Sequence, residues 1–291
     1  MRSTEVPQTR RRYAEEALAR LEAFAAAGSP LPRVRALHLP PKPTPGDLRG
    51  EFCALELDDG AIGLSYVLLG DTWAELARQP QRLALGGLDA LAVARRYVSA
   101  DRLQHTVGLA ALNALTRCLF DRAGFVPSSS ADSIGNLDPQ PGETVGMIGY
   151  FASLVPRITA RGARLVVIEL REDLVGERDG VRVTLDADEL RQCDKVLSTG
   201  TLLLNDTLDR MLGLCVRAQR FALIGPSVGC PPDPLFARGV TLLGGSWISD
   251  PAAFVDALLS AAPTAGAAHK FALLREDYPG WDALLRRAAR A

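Results

Sequence analysis

The amino-acid sequence predicts an α/β protein in two parts. A smaller α+β domain spans residues 1–124, a linker spans 125–142, and a mostly parallel α/β sheet domain spans 143–291. Three observations predict it. First, in Glu143-Thr-Val-Gly-Met-Ile-Gly-Tyr-Phe151 an apolar run ends in Gly149 and passes into a helical pattern, and the next strand, Arg164-Leu-Val-Val-Ile-Glu169, closes in a carboxylate. Strand, glycine turn, helix, strand and terminal acid is the opening of a dinucleotide-type βαβ unit. Second, short runs rich in Val, Leu and Ile then alternate with helical patterns, which implies a mostly parallel sheet covered on both faces. Third, residues 34–69 instead group three strands together, ahead of two helices.

Composition bounds the function. Of the 291 residues, 47% are apolar and 23% charged, as in an ordinary globular protein, and the net charge of −1 removes the electrostatic case for nucleic acid or an anionic membrane surface. Arg10-Arg-Arg12 is basic, but Glu15 and Glu16 follow it, so it reads as a solvated helix start. No apolar run reaches the roughly 18–20 residues that span a bilayer. Met1-Arg-Ser-Thr-Glu-Val-Pro7 lacks the apolar core of a signal peptide, so the expected location is cytoplasmic. Cys53, Cys118, Cys193, Cys215 and Cys230 are scattered without a C-x-x-C pair, which argues against a disulfide framework.

In chain order, residues 9–27 carry Tyr13, Ala17, Leu21 and Phe24 at helical spacing, and Gly28-Ser-Pro30 stops the helix. Residues 34–39, 52–57 and 61–69 read as a three-stranded antiparallel meander; Asp58-Asp-Gly60 is a hairpin signal, and the proline-rich stretch 40–45 makes the first connection a loop. Helices follow at 88–98 and 101–122. The middle of the second, Gly108-Leu-Ala-Ala-Leu-Asn-Ala-Leu115, is apolar almost all round and must be packed on several sides, between domains or in a homodimer interface. Asn113 inside it needs hydrogen-bond partners, from a neighbouring loop or from a ligand. Beyond the linker, strands are expected at 145–148, 165–169, 195–198, 221–224 and 240–243, with helices at 154–160, 187–193, 203–217, 234–238 and 252–261. A basic helix at 281–290 ends the chain without an assigned place.

Ligands of open α/β sheets bind beyond the carboxyl ends of the strands. Those ends supply Gly149, Tyr150 and Phe151, then Glu169, then Thr199-Gly-Thr201 with Asn205, then Gly225-Pro-Ser227, then Gly244-Gly-Ser-Trp247. Glycine permits close approach to a ligand, and Thr199, Thr201 and Ser227 either bind an anion or cap helices. Gly146 and Gly149 supply two glycines, not the three of G-x-G-x-x-G, so the turn supports the architecture more than any one cofactor. Glu169 has the position of a ribose-binding acid or of an exposed strand end. His38, His105 and His269 stand apart and read as structural; no nucleophile–base triad is spelled. Cys230 is the cysteine best placed near the strand ends.

Val145-Gly-Met-Ile-Gly-Tyr-Phe151, Thr199-Gly-Thr-Leu-Leu-Leu-Asn-Asp-Thr-Leu208 and Ile224-Gly-Pro-Ser227 resemble, in order, the putative heavy-metal chelation family, and Gly108–Leu115 resembles the end of the domain that precedes them there. The resemblance covers about residues 10–262. It implies a Rossmann-like C-terminal domain, an enolase N-terminal-like first domain, and a ligand cleft between them. The implied ligand-binding set is Asn113, Gly146, Gly149, Tyr150, Thr199, Gly200, Asn205, Gly225, Pro226 and Ser227, to which the strand-end reading adds Glu169 and Thr201. The family name points to a metal ion or metal chelate. Clustered Cys/His ligands are not spelled, which favours an organic chelator or its metal complex over direct ligation. The expected function is therefore binding of an anionic metabolite, chelator or metal complex, with or without chemistry on it. The alternative is a nucleotide- or dinucleotide-dependent enzyme using the glycine turn at Gly149.

Overall fold

The computed structural model describes residues 8–28, 30–42, 51–78, 84–130, 134–178 and 180–290. The N-terminal segment 1–7, the side chains of Arg10 and Arg11, the prolines at 43 and 45 and residues 131–133 of the expected linker lie outside them.

Apolar positions three to four apart make α1 (Gln8–Ala26), which buries Tyr13, Ala17, Leu21 and Phe24. The expected meander forms as β1 (Val34–His38), β2 (Phe52–Leu57) and β3 (Ile62–Tyr66), antiparallel and in that order. Its second turn places Gly60 at φ +89°, a conformation open to glycine without strain. A short helix that the sequence pattern did not signal, α2 (Thr72–Arg78), comes next. Then α3 (Ala90–Ala94), capped by Asp89 accepting from the Ala92 N–H, continues as a 3₁₀ turn, Arg95–Val98. Asp101 caps α4 (Arg102–Arg122) in the same way through the Gln104 N–H.

The second half is one sheet. Its strands are β4 (Ser128–Ser129), β5 (Thr144–Ile148), β6 (Arg164–Ile168), β7 (Gly176–Arg178), β8 (Val181–Thr184), β9 (Lys195–Thr199), β10 (Arg220–Ile224), β11 (Leu242–Ile248) and β12 (Ala268–Leu274). They lie in the order β4-β12-β11-β10-β9-β5-β6-β8-β7. The six from β11 to β8 are parallel, and counted along the chain their order is the 3-2-1-4-5-6 of a Rossmann sheet, with its switch point between β5 and β9. The helices are α5 (Val155–Thr159), α6 (Leu208–Leu214), α7 (Asp233–Phe236), α8 (Pro251–Leu259) and α9 (Trp281–Ala288). No helix among the described residues is long and apolar enough to cross a membrane.

Four expectations change. The expected helix at 187–193 is a 3₁₀ helix, Ala187–Gln192. The one expected at 203–217 splits into a 3₁₀ turn, Gly200–Leu203, and α6, because Asp206 takes φ +63° between them. The last parallel strand does not stop at residue 243: Gly244 and Gly245 read as a turn but are strand positions where neighbours crowd the backbone. The strands β4, β7, β8 and β12 went unsignalled: Ser-Ser and Gly-Glu-Arg carry no apolar run, Arg182 interrupts β8, and in β12 the four apolar residues Phe271–Leu274 follow the polar His269 and Lys270. The basic terminal helix finds its place through Trp281, which is fully buried and donates its indole N–H to the Arg20 carbonyl of α1 (2.8 Å).

One apolar core runs from α1 through α4 to the sheet face carrying Val196, Leu223 and Leu243. The apolar middle of α4 is therefore covered within a single chain. The other sheet face, with Met147, Leu197 and Ala222, packs against Ile158 of α5 and against Ile134 and Leu137 of the incoming segment. That segment is pinned by Lys195, buried within β9, which pairs with Glu143 and donates to the Asp138 carbonyl, both at 2.7 Å.

Candidate functional site

At the switch point the strand ends brace one another. Gly149 sits at φ +84°, and a side chain there would meet Thr199 Cγ2 at 3.1 Å. Glu169 accepts from the Tyr150 N–H through Oε2 (2.9 Å) and from the Leu170 N–H through Oε1 (2.7 Å), tying the end of β6 to the end of β5. Thr199 caps the 3₁₀ turn by accepting from the Thr201 N–H, and the Thr201 hydroxyl lies at the same distance, 3.2 Å, from Thr199 Oγ1. Asn205 accepts from the Thr207 N–H (3.3 Å) and hydroxyl (2.5 Å), closing a local turn. Two glycines serve packing: a Cβ on Gly146 would meet Leu190 and Cys193 at 2.9–3.3 Å, and one on Gly200 would meet Val228 Cγ2 at 2.6 Å. In these positions the capping and packing readings describe what the side chains do.

Asn113, from α4, is 3% exposed and donates both amide hydrogens, to the Leu64 carbonyl of β3 and the Ser227 carbonyl after β10, each at 2.8 Å. Ser227 is 2% exposed, and its hydroxyl oxygen accepts from the Tyr66 N–H at 2.9 Å. These three bonds close the junction of meander, helix and sheet. Beside it lies an acidic corner. Burial raises the Tyr66 phenol, and Glu51 and Glu169 raise it further, while burial alone raises the Glu51 carboxyl.

An apolar cavity of about 220 Å³ opens farther along the strand ends, against β10, β11 and β12; a larger and more polar one, about 550 Å³, lies at the opposite ends of the strands beside Thr144, Arg164, Arg182 and Arg217. Alternation fixes which side chains face the apolar cavity. Leu242, Gly244 and Ser246 of β11 share a face with Lys270 and Ala272 of β12, and Ser246 pairs directly with Lys270 in the antiparallel register. At Gly244 the Ile224 side chain packs close to the strand, and a Cβ there would sit 3.0 Å from Ile224 Cγ2. Phe151 and Leu154, following β5, wall the other side, and Gly225 and Pro226 form the turn after β10. Among the described residues, the polar side chains of the lining are Ser153, Ser246 and Lys270. Of the strand-end residues expected from sequence, Phe151, Gly225, Pro226, Gly244, Gly245 and Ser246 line this cavity; of the ligand-binding set implied by the resemblance, Gly225 and Pro226 do. Ser153 and Lys270 carried no sequence signal: one precedes a five-residue helix, and the other lies on the unsignalled β12.

Among the described residues, no group of three or more His, Cys, Asp or Glu side chains is arranged to hold a metal ion. His105 is buried between the carbonyls of Tyr97 and Leu203, and His38 meets Glu56 at 2.8 Å. Cys230 is 2% exposed, and burial pushes its thiol up to about 11; burial likewise pushes Cys53 and Cys215 up to about 12 and Cys193 up to about 11. These thiols are protonated in the native protein at pH 8, so native protein should resist alkylation there, whereas unfolded protein, with thiols near 8.5, should label quickly. A raised folded-state value means the stabilisation is whole below about pH 8.5 and is lost as pH climbs toward 11–12, by about 1.4 kcal/mol per unit for each thiol ionising on unfolding. Mass-spectrometric labelling at pH 8 checks this; rapid modification of native Cys230 would contradict it.

Two family models, both described as putative heavy-metal chelation, match residues 50–116 and 132–273. An uncharacterized protein of Methanocaldococcus jannaschii is 28% identical over 159 residues, which is 52% of this chain and 58% of that protein's length. A crystal structure of a DUF364-family protein of unknown function from Desulfitobacterium hafniense matches with TM-score 0.65 at 22% identity, over 88% of this chain and 99% of that one. One from Pyrococcus horikoshii matches with TM-score 0.61 at 16% identity, over 92% and 100%. These structures share the fold, and with both models matched in order along the sequence, the chain belongs to the putative heavy-metal chelation family.

Proposed function

We propose that the protein binds a small organic polycarboxylate, free or as its metal chelate, in the cavity bounded by β10, β11 and β12. The observation that carries this reading is the lining: an apolar pocket of about 220 Å³ whose polar side chains, among the described residues, are two hydroxyls and one ammonium. Pockets of this composition hold small molecules and orient them through few polar groups. A lysine ammonium has three donors and no acceptor, so it attracts a carboxylate and repels a bare cation. A metal thus enters on a ligand that supplies its own donors.

The strand order favours a second reading, a nucleotide at the switch point. Glu169 beside that point is already engaged by the Tyr150 and Leu170 N–H groups, whereas Lys270 offers a cation to an anionic ligand, which is why the Lys270 side is preferred.

Thermal-shift measurements against citrate, its iron and nickel complexes, NAD, NADP, ATP and S-adenosylmethionine decide between them, because a ligand that binds the folded state alone raises Tm. Citrate or its complexes should stabilise the wild type, and Lys270→Met should weaken that binding about tenfold or more, the worth of one charge-assisted hydrogen bond. Stabilisation by a nucleotide alone would overturn the proposal.

A further inference from the structure

The cavity beside Lys270 changes character along its length. On the cavity face of β11 and β12 the register sets Ser246 beside Lys270, Gly244 beside Ala272 and Leu242 beside Leu274, so each step inward along β11 spans two residues, about 7 Å. The polar side chains stand where the cavity meets solvent: Lys270 and Ser153 are exposed, and Ser246 is half-buried. The middle step brings only a glycine and a methyl group, and its walls are lent by Ile224 and Phe151. Farther in, the lining is apolar and closed, with Leu242 at 2% and Leu154 at 7% exposure. Beyond Lys270, Ser246 and Ser153, no lining side chain among the described residues can donate a hydrogen bond.

That gradient selects among polycarboxylates. A carboxylate pushed inward past Lys270 would lose its water without gaining a donor, whereas an apolar edge in the same place gains by leaving water. We infer that the ligand is an aromatic dicarboxylate with both carboxylates on one edge of its ring. That edge sits at the mouth against Lys270 and Ser246, and the opposite, apolar edge lies among Phe151, Ile224 and Leu242. A ring suits this place because it holds its two carboxylates together without the ordering cost of a flexible chain, and Phe151 offers it an aromatic wall. Neighbouring carboxylates on one edge also hold a metal ion, which then stays at the solvent end. The inference rests on the polycarboxylate reading proposed above and names its class.

Isothermal titration of the full chain with phthalate, terephthalate and citrate tests it. The first two are isomers of equal charge; phthalate carries its carboxylates on one edge, terephthalate at opposite ends. Phthalate should bind the wild type about tenfold or more tightly than either of the others, because terephthalate must bury one carboxylate and citrate is polar all round. Phe151→Ser removes the aromatic wall, so it should weaken phthalate about fivefold or more and citrate less than about twofold. A smaller preference over terephthalate or citrate would overturn the aromatic class, as would equal weakening of phthalate and citrate in Phe151→Ser; binding of citrate in either case leaves the polycarboxylate reading standing. Failure of all three compounds to bind would overturn both. The melting temperature of Phe151→Ser, measured alongside, shows whether the variant is folded; if it is not, the isomer comparison on the wild type decides alone.

Discussion

Gly63→Ala is expected to destabilise the protein by about 3 kcal/mol, at the upper end of the usual penalty for overpacking. A Cβ on Gly63 of β3 would lie 2.1 Å from the Ala110 carbonyl oxygen, 2.3 Å from the Ala114 nitrogen and 2.9 Å from the Ala114 Cα. All three are backbone atoms of α4, and a Cβ has no rotamer by which to avoid them, so strand and helix must separate. That separation would stretch the Asn113 bond to Leu64, the next residue along β3, and open the junction that closes the two halves on each other. Gly213→Ala is the control: it lies in α6 with no atom within 4 Å of its added Cβ, and should be neutral or stabilise by up to about 1 kcal/mol. Urea unfolding of both variants gives the comparison. A Gly63→Ala protein within about 0.5 kcal/mol of wild type would contradict the close approach of β3 to α4, since even mild overpacking costs more.

Asn113→Ala should destabilise by about 2–4 kcal/mol, because it leaves two buried carbonyls without donors and opens a void in the core. Asn113→Asp isolates the hydrogen-bonding part of that loss. It keeps the size of the side chain but turns two donors into a carboxylate facing two carbonyl oxygens. Burial without a donor favours the neutral acid, so the folded-state pKa of that carboxyl stands above its unfolded value. By linkage the variant is least impaired below about pH 4 and loses stability as pH rises above it, whereas the wild type has no such group at this position. Unfolding measured from pH 4 to 8 follows this. An Asn113→Asp protein as stable as wild type at pH 7 would mean that the two carbonyls have other donors.

Asn113 also shows where sequence reading reached its limit. The residue stood out because a polar amide interrupts Gly108–Leu115, and partners were required. The structure shows the structural alternative, since its nitrogen bonds the carbonyls of Leu64 and Ser227. Glu169 shows the same limit. Its place at the end of β6 was legible, but its engagement by Tyr150 and Leu170 depends on how β5 ends beside it. The glycines Gly146, Gly200, Gly244 and Gly245 were visible only as glycines. What each leaves room for is decided by Leu190, Cys193, Val228, Ile224 and Phe271, residues far from them in the chain.

The sequence by itself determined the alternation of strands and helices, the antiparallel meander ahead of it, and the strand ends where a ligand would gather. Those follow from local periodicity, turn residues and chain direction, which a single stretch of sequence carries. Only the tertiary structure decided that an apolar cavity lies against β12 with Lys270 in its wall. Lys270 stands in the polar first half of that strand, ahead of the apolar Phe271–Leu274, and shares the cavity face because it pairs with Ser246 of β11. A site assembled across antiparallel partners depends on register, and register is a property of two segments together.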